Sequence, residues 1–321
     1  MTLTTPVPAE LPEASRPDRL NTAQGTVGTG GGGGWFVRIT ILVTVVIWLI
    51  PIAGVLVTSF RPPDLANTSG WWTALASPFE AGAWTIENYR QALDAGGFGN
   101  AFLNSVAVAV PSTVIPITIA AFAAYAFSWM KFRGRNILFV LVVGLMVVPL
   151  QMALIPILTL YVEGAQLWGV TVFPDLNLNG SFLGVWLAHT GFGLPLATYL
   201  LRNYIGSLPS SIIESAKIDG ADHFTIFWRL IIPLSVPALA AFTIFQFLWV
   251  WNDLLVAYVF LGGTSSTRVV TLALANLSGS RGQDWHLLTS AAFISMALPL
   301  AVFFSLQRYF VRGLTAGSVK G

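Results

Sequence analysis

Long apolar runs alternate with short polar breaks along this chain. An α-helix needs about 20 mostly apolar residues to cross a bilayer, because its backbone must satisfy its own hydrogen bonds in lipid. Six runs reach that length: Ile39 to Phe60, Ala101 to Met130, Asn136 to Val162, Leu176 to Leu201, Leu234 to Leu261 and Leu287 to Gln307. Asp253 is the one Asp, Glu, Lys or Arg inside these windows. The pattern predicts an all-α integral membrane protein with six transmembrane helices. Composition agrees, since 55% of the 321 residues are hydrophobic and 9% are charged, against roughly 25% charged in a soluble domain.

Orientation follows from the basic residues, which cytoplasmic loops retain. Of the 16 Lys and Arg, only Arg61, Arg90, Arg268 and Arg281 lie off the side shared by the tail before the first span, the breaks after the second and fourth, and the C-terminus. Both termini are therefore expected to be cytoplasmic. With 16 basic against 14 acidic residues, charge gives no sign of a nucleic-acid partner. The absence of cysteine excludes disulfides, thiolate metal sites and a Cys nucleophile. Residues 1–34 end in "GTVGTGGGGG", where Gly28, Gly30 and Gly33 match a dinucleotide-loop spacing. No strand precedes them and a span follows, so 1–34 reads as a disordered cytoplasmic tail.

Between the fourth and fifth runs lies a polar island, "ESAKIDGADHFTIFWRLIIP", Glu214 to Pro233. Ser207, Leu208 and Pro209 suit a helix start. Gly220 suits the left-handed residue that ends a helix, and Asp222 suits the cap of the next one. Phe224, Phe227, Trp228 and Ile231 follow one helical face, and Pro233 and Pro237 limit or kink what continues into the bilayer. Two readings fit this pattern: an amphipathic connector resting on headgroups, anchored by Trp228 and Arg229, or a helix-turn-helix knob that enters a groove on another protein.

The residues also carry a resemblance. Permease subunits of binding-protein-dependent ABC importers have a cytoplasmic signature of Glu-Ala-Ala, three residues, Gly, nine residues, then Ile-x-Leu-Pro. This chain has Glu214-Ser215-Ala216, Gly220 and Leu230-Ile231-Ile232-Pro233 at the same spacing, with Ser215, Leu230 and Ile232 departing from the consensus. "TSFRPP", "IENYRQAL", "FLNSVAVAV", "AAYAFSWMKFRGR", "VVPLQMALIPI", "WNDLLVAY" and "LQRYFVRGLTAGSVKG" resemble the second permease subunit of maltose-type carbohydrate importers. The resemblance runs from about Trp35 to Gly321. It implies an ABC importer permease fold over 35–321, in the cell inner (plasma) membrane of a bacterium or archaeon.

The chain has no Gly-x-x-x-x-Gly-Lys-Ser/Thr loop, and its only lysines are Lys131, Lys217 and Lys320. The resemblance implies that a cytoplasmic ATPase dimer binds ATP and Mg and takes the 207–233 loop into a surface cleft. Glu214, Ser215, Ala216, Asp219, Gly220, Ala221, Phe224 and Pro233 are then the docking residues, with Glu214 making the charged contact, Ala216 allowing close approach and Gly220 turning the knob. A second permease subunit, an extracytoplasmic solute-binding protein and a sugar complete the implied partners. The tail 308–321 would reach along the ATPase interface, or else be an ordinary chain end.

Asp253, with Trp251 and Asn252 beside it, offers an aromatic face next to hydrogen-bonding groups, as sugar recognition favours. An ionised side chain at mid-bilayer is expensive enough that it faces protein or a water-filled cavity. The structural alternative is that Asn252 and Asp253 cap a broken helix or pair with a partner subunit. Gln151, after Pro149, is a further pathway candidate. His189 sits alone among apolar residues and reads as a packing residue, and His223 and His286 have no metal-ligand spacing. The outer loop 262–286 places Asn276, Ser278, Gly279, Ser280 and Gly282 where the resemblance puts a tip that meets the binding protein. A plain connector is the other reading. The outer loop 61–99, with Trp71, Trp72 and Trp84, would form the rest of that platform or rest at the lipid interface. A self-sufficient secondary transporter or channel is the rival class, and it would need its own ion site and often shows paired repeats. The expected cargo is a di- or oligosaccharide such as an α-glucoside.

Overall fold

The computed structural model describes residues 33–277 and 284–316. By compactness the chain divides into residues 1–52 and 53–321. The described part of the first is the beginning of α1 (Gly33–Ser59), an apolar helix. The 1–32 part of the expected tail lies outside the described residues.

In the second unit, the end of α1 is followed by a platform of short helices, α2 (Pro63–Thr68), α3 (Trp72–Ala76) and α4 (Glu87–Asp94), before the long α5 (Phe98–Trp129). The third apolar run, expected as one crossing, is broken. It forms α6 (Arg135–Gly144), a 3₁₀ turn at Leu145–Val147, and α7 (Leu150–Glu163), bent by 106°. Pro149 lacks an N–H and disfavours helical backbone before it, and Val148 is accordingly extended, with φ −71° and ψ 117°. A hairpin follows, β1 (Ala165–Leu167) paired antiparallel with β2 (Val170–Phe173), which the apolar pattern did not predict.

The fourth run becomes α8 (Phe182–Gly206), starting six residues late because Ser181 Oγ accepts from the Gly184 N–H at 3.1 Å and caps it. The polar island forms α9 (Ser210–Ile218) and α10 (His223–Ile226), and a π turn at Phe227–Ile231 leads into α11 (Ile232–Trp251). The fifth run then breaks at Asn252–Leu254 and resumes as α12 (Leu255–Leu261), followed by α13 (Val270–Leu277) and α14 (Trp285–Ala316).

Among the described residues, four helices are long and apolar enough to cross a bilayer, with a fifth crossing if the bent α6 and α7 count as one. The expected sixth, α8, is a 25-residue helix that falls short of that apolarity. It can afford polar residues because it is sheltered: α5, α6, α7, α11 and α12 all pack on it. Its contact with α5 is close because both helices bury small residues, Ala101, Ala109, Ala120 and Ala124 on α5 and Ala188 and Ala197 on α8. Such residues let backbones approach where lipid removes the hydrophobic drive between helices.

Prolines inside the spans leave a carbonyl four residues earlier without its helical donor. In α5, Pro111 frees the carbonyl of Ala107 and Pro116 that of Ser112. Trp186 Nε1 of α8 donates to the first at 2.9 Å, and Gln246 Nε2 of α11 donates to the second at 3.2 Å. In α14, Pro299 frees the carbonyl of Ser295, and Trp251 Nε1 donates to it at 3.1 Å. Each of these three prolines thus becomes a cross-link to a neighbouring helix.

Candidate functional site

The island folds as two short helices joined by a turn that only its own backbone specifies. Gly220 lies at φ +80°, its N–H bonds the Lys217 carbonyl at 3.1 Å, and the Ala221 N–H bonds that of Ala216 at 2.9 Å. This pair of bonds is the Schellman ending that favours glycine. Asp222 then caps α10 by accepting from the Thr225 N–H at 2.8 Å. Hydrogen bonds from Thr225 hold the Asp222 carboxyl below its ordinary range, with nearby His223 adding to the effect, so the cap is charged at neutral pH.

One side of this knob is seated. Ile213, Ile226, Phe227 and Ile231 are buried with Ala120, Ala124, Leu201 and Ile205 from α5 and α8. The other side is bare. Glu214, Ser215, Lys217, Asp219 and Gly220 are exposed, Ala216 and Ala221 half-buried, and Ile218 and Phe224 are 86% and 68% exposed. Two large apolar side chains ringed by charge are what a buried interface uses as anchors. Sequence reading missed Ile218, although an apolar residue two positions before the turning glycine was the signal. Pro233 sits in the first turn of α11, where its missing N–H is harmless.

The broken fifth span holds the second constellation. Asp253 Oδ1 and Oδ2 accept from the Val256 and Ala257 N–H groups at 3.3 and 3.0 Å and so cap α12. Thr271 Oγ1 donates to the Asp253 carbonyl at 2.8 Å, tying the break to α13. His189 Nε2 lies 3.7 Å from Asp253 Oδ2, fully buried against the edge of Trp249. The capping alternative for Asp253 is therefore realised, with its carboxylate still partly open.

Asn252 is exposed, whereas Trp251 is buried at 3% exposure and packs on Phe247 and Phe102. Trp251 thus presents no ring to water in this chain. Trp249 is half-buried and lines an open groove of about 510 Å³ with Pro149, Phe192 and Pro195, between the bent third span and α8. The sequence reading passed over it because Trp251 stands beside the polar pair. Gln151 is exposed in the first turn of α7, just past the bend.

In the loop expected to face outward, Asn276 is exposed near the end of α13, while Ser278, Gly279, Ser280 and Gly282 lie outside the described residues. Asn104 Nδ2 donates to the carbonyls of Ser266 and Arg268 at 2.9 and 3.0 Å, and Ser105 Oγ accepts from the Val270 N–H at 2.8 Å. In the platform, Arg61 is 2% exposed and donates to the Ser69 and Gly70 carbonyls at 2.8 and 3.0 Å, so the platform folds around a guanidinium. Among the described residues no group of His, Cys, Asp and Glu is arranged to hold a metal ion.

Comparison with known proteins gives a consistent picture. Residues 116–316 match the family described as binding-protein-dependent transport system inner membrane component. The chain is 57% identical to the osmoprotective compounds uptake permease protein GgtD of Synechocystis sp., over 88% of this chain and 91% of that one. It is 44% identical to the alpha-glucoside transport system permease protein AglG of Rhizobium meliloti, over 89% and 97% of the two chains. In fold it is similar to a chain of a bacterial ABC transporter that imports alginate, with TM-score 0.63 and 20% identity over 86% of this chain and 96% of that one.

Proposed function

Because this chain belongs to the binding-protein-dependent inner membrane transport components, we propose that it is one of two permease subunits of an ATP-driven importer for an α-glucoside-type sugar. The observation that carries the coupling part of this reading is the bare half of the knob, where Glu214, Ile218 and Phe224 surround a turn set by Gly220. A cytoplasmic ATPase dimer, which binds ATP and Mg, takes that face into its cleft. Closure of the dimer moves two knobs, one from each permease, and the spans pass between inward-open and outward-open arrangements. Turning such an equilibrium from 1:99 to 99:1 takes roughly 5.5 kcal/mol of differential binding, which nucleotide-driven closure supplies.

The knob suits a stiff coupler, since its inner half is locked into the core and its turn is closed by backbone bonds. Asn252, Asp253 and Gln151 are the polar groups of the sugar pathway, and Trp249 rather than Trp251 supplies the aromatic surface. A solute-binding protein delivers the sugar at the outer loops. The α-glucoside assignment is supported by the transporter named for the 44% identical relative.

The test uses the assembled transporter. Glu214→Lys reverses the charge of the docking face, and Gly220→Trp puts a bulky side chain at a left-handed position. Both are expected to abolish ATP-dependent uptake of radiolabelled maltose or trehalose into vesicles while leaving the chain in the membrane. Uptake at the unsubstituted rate in both variants would overturn the coupling role.

A further inference from the structure

We infer that α5 is a transmission rod, clamped at its inner end to the knob and at its outer end to the segment from Gly262 to the start of α13, and that it carries the motion of one to the other. This rests on the reading that the knob docks the ATPase and the outer loop meets the binding protein.

The inner clamp is specific. Tyr125 of α5, 4% exposed, has its hydroxyl 2.7 Å from His223 Nδ1, the first residue of α10. One turn earlier, Phe122 stacks on Phe227 at 4.5 Å between centroids and 19° between planes. A hydrogen bond fixes the position of the knob along the helix, and a stacked pair resists its tilting. The π turn begins at Phe227, so α10 is held to α5 just before its own chain departs from regular helix. Such turns are frequent at functional sites. The half of the knob beyond Gly220 is thereby fastened to a helix distant in sequence.

The outer clamp is of the same kind. Asn104 holds two carbonyls of the 262–286 loop, Ser105 holds the N–H that begins α13, and Arg268 Nη1 reaches back to the Gly96 carbonyl at 3.2 Å, just before α5 begins. From Asn104 to Tyr125 is about 32 Å at 1.5 Å per residue, a full bilayer core. Two prolines would let such a helix flex, but the donors from Trp186 and Gln246 hold its two weakened turns against α8 and α11. Push at the knob therefore reaches the outer loop as movement of α5 instead of being absorbed in a bend.

The experiment exploits the absence of cysteine in this chain. An environment-sensitive fluorophore on Asn276→Cys, in the complete transporter in nanodiscs, reports the outer loop when Mg-ATP and vanadate are added to trap the ATPase. Tyr125→Phe and Asn104→Ala are each expected to reduce the spectral response about five-fold, the factor one neutral hydrogen bond supports. Basal ATP hydrolysis and copurification of the ATPase should stay unchanged.

A full response in Tyr125→Phe or in Asn104→Ala overturns the inference. So does loss of the copurifying ATPase in Tyr125→Phe, which would make the bond part of docking itself. Glu214→Lys separates the two readings. A full response there removes the docking assignment, whereas a lost response there beside an intact one in Tyr125→Phe removes the rod alone.

Discussion

Gly193 has no side chain at a place where one would collide. A Cβ there would lie 2.7 Å from both Nε2 and Oε1 of Gln246, so Gly193→Ala must displace the amide and leave the Ser112 carbonyl unpaired in a dry interior. A buried acceptor stripped of its donor costs about 1–3 kcal/mol, and thermal unfolding of the purified transporter should show that loss. An unchanged midpoint would mean that Gln246 relocates without penalty. Residues whose work is local were legible in the sequence: Gly220 and Asp222 act on bonds within six positions of themselves, and their identities suffice. The packing of Trp251 was not legible, because an indole beside Asn252 and Asp253 looks the same in sequence whether it faces a cavity or the carbonyl of Ser295, and that carbonyl lies on another helix.

At the scale of helices, prolines were visible and their consequences were not. The letters at 111, 116 and 299 announce freed carbonyls, but the donors stand on α8 and α11, up to 134 positions away. The pairing predicts a compensation. Gln246→Leu should destabilise by about 1–3 kcal/mol, and Pro116→Ala in the same chain should restore part of it, because an N–H at 116 can reach the Ser112 carbonyl within α5. Chemical denaturation of the two single variants and the double one gives the coupling, and strict additivity would dismiss the link. The break at Pro149 escaped the pattern for a related reason. Apolar letters continue unbroken across it, and lipid tolerates irregular backbone there only beside protein or a groove. The β1–β2 hairpin escaped too, since it lies in the break between the third and fourth runs and its strands of three and four residues are too short to show an alternating pattern.

For the whole molecule, Lys and Arg placement predicts the membrane sidedness, whereas the number of crossings depends on how α8 is housed. Single cysteines in this cysteine-free chain settle it. Lys131→Cys and Lys217→Cys flank the bent pair and α8, and an impermeant maleimide should label both only after right-side-out vesicles are opened, with Asn276→Cys reacting beforehand. Labels on opposite sides at 131 and 217 would leave one of the two intervening elements outside the bilayer count. The shelter of α8 also bears on how the protein is made. A helix too polar to partition readily into lipid by itself needs an escort, and α5, synthesised earlier, offers a surface of small residues and the open carbonyl of Ala107. If α8 crosses as the labelling is expected to show, its insertion is a step of assembly, governed by an already inserted neighbour more than by its own oiliness.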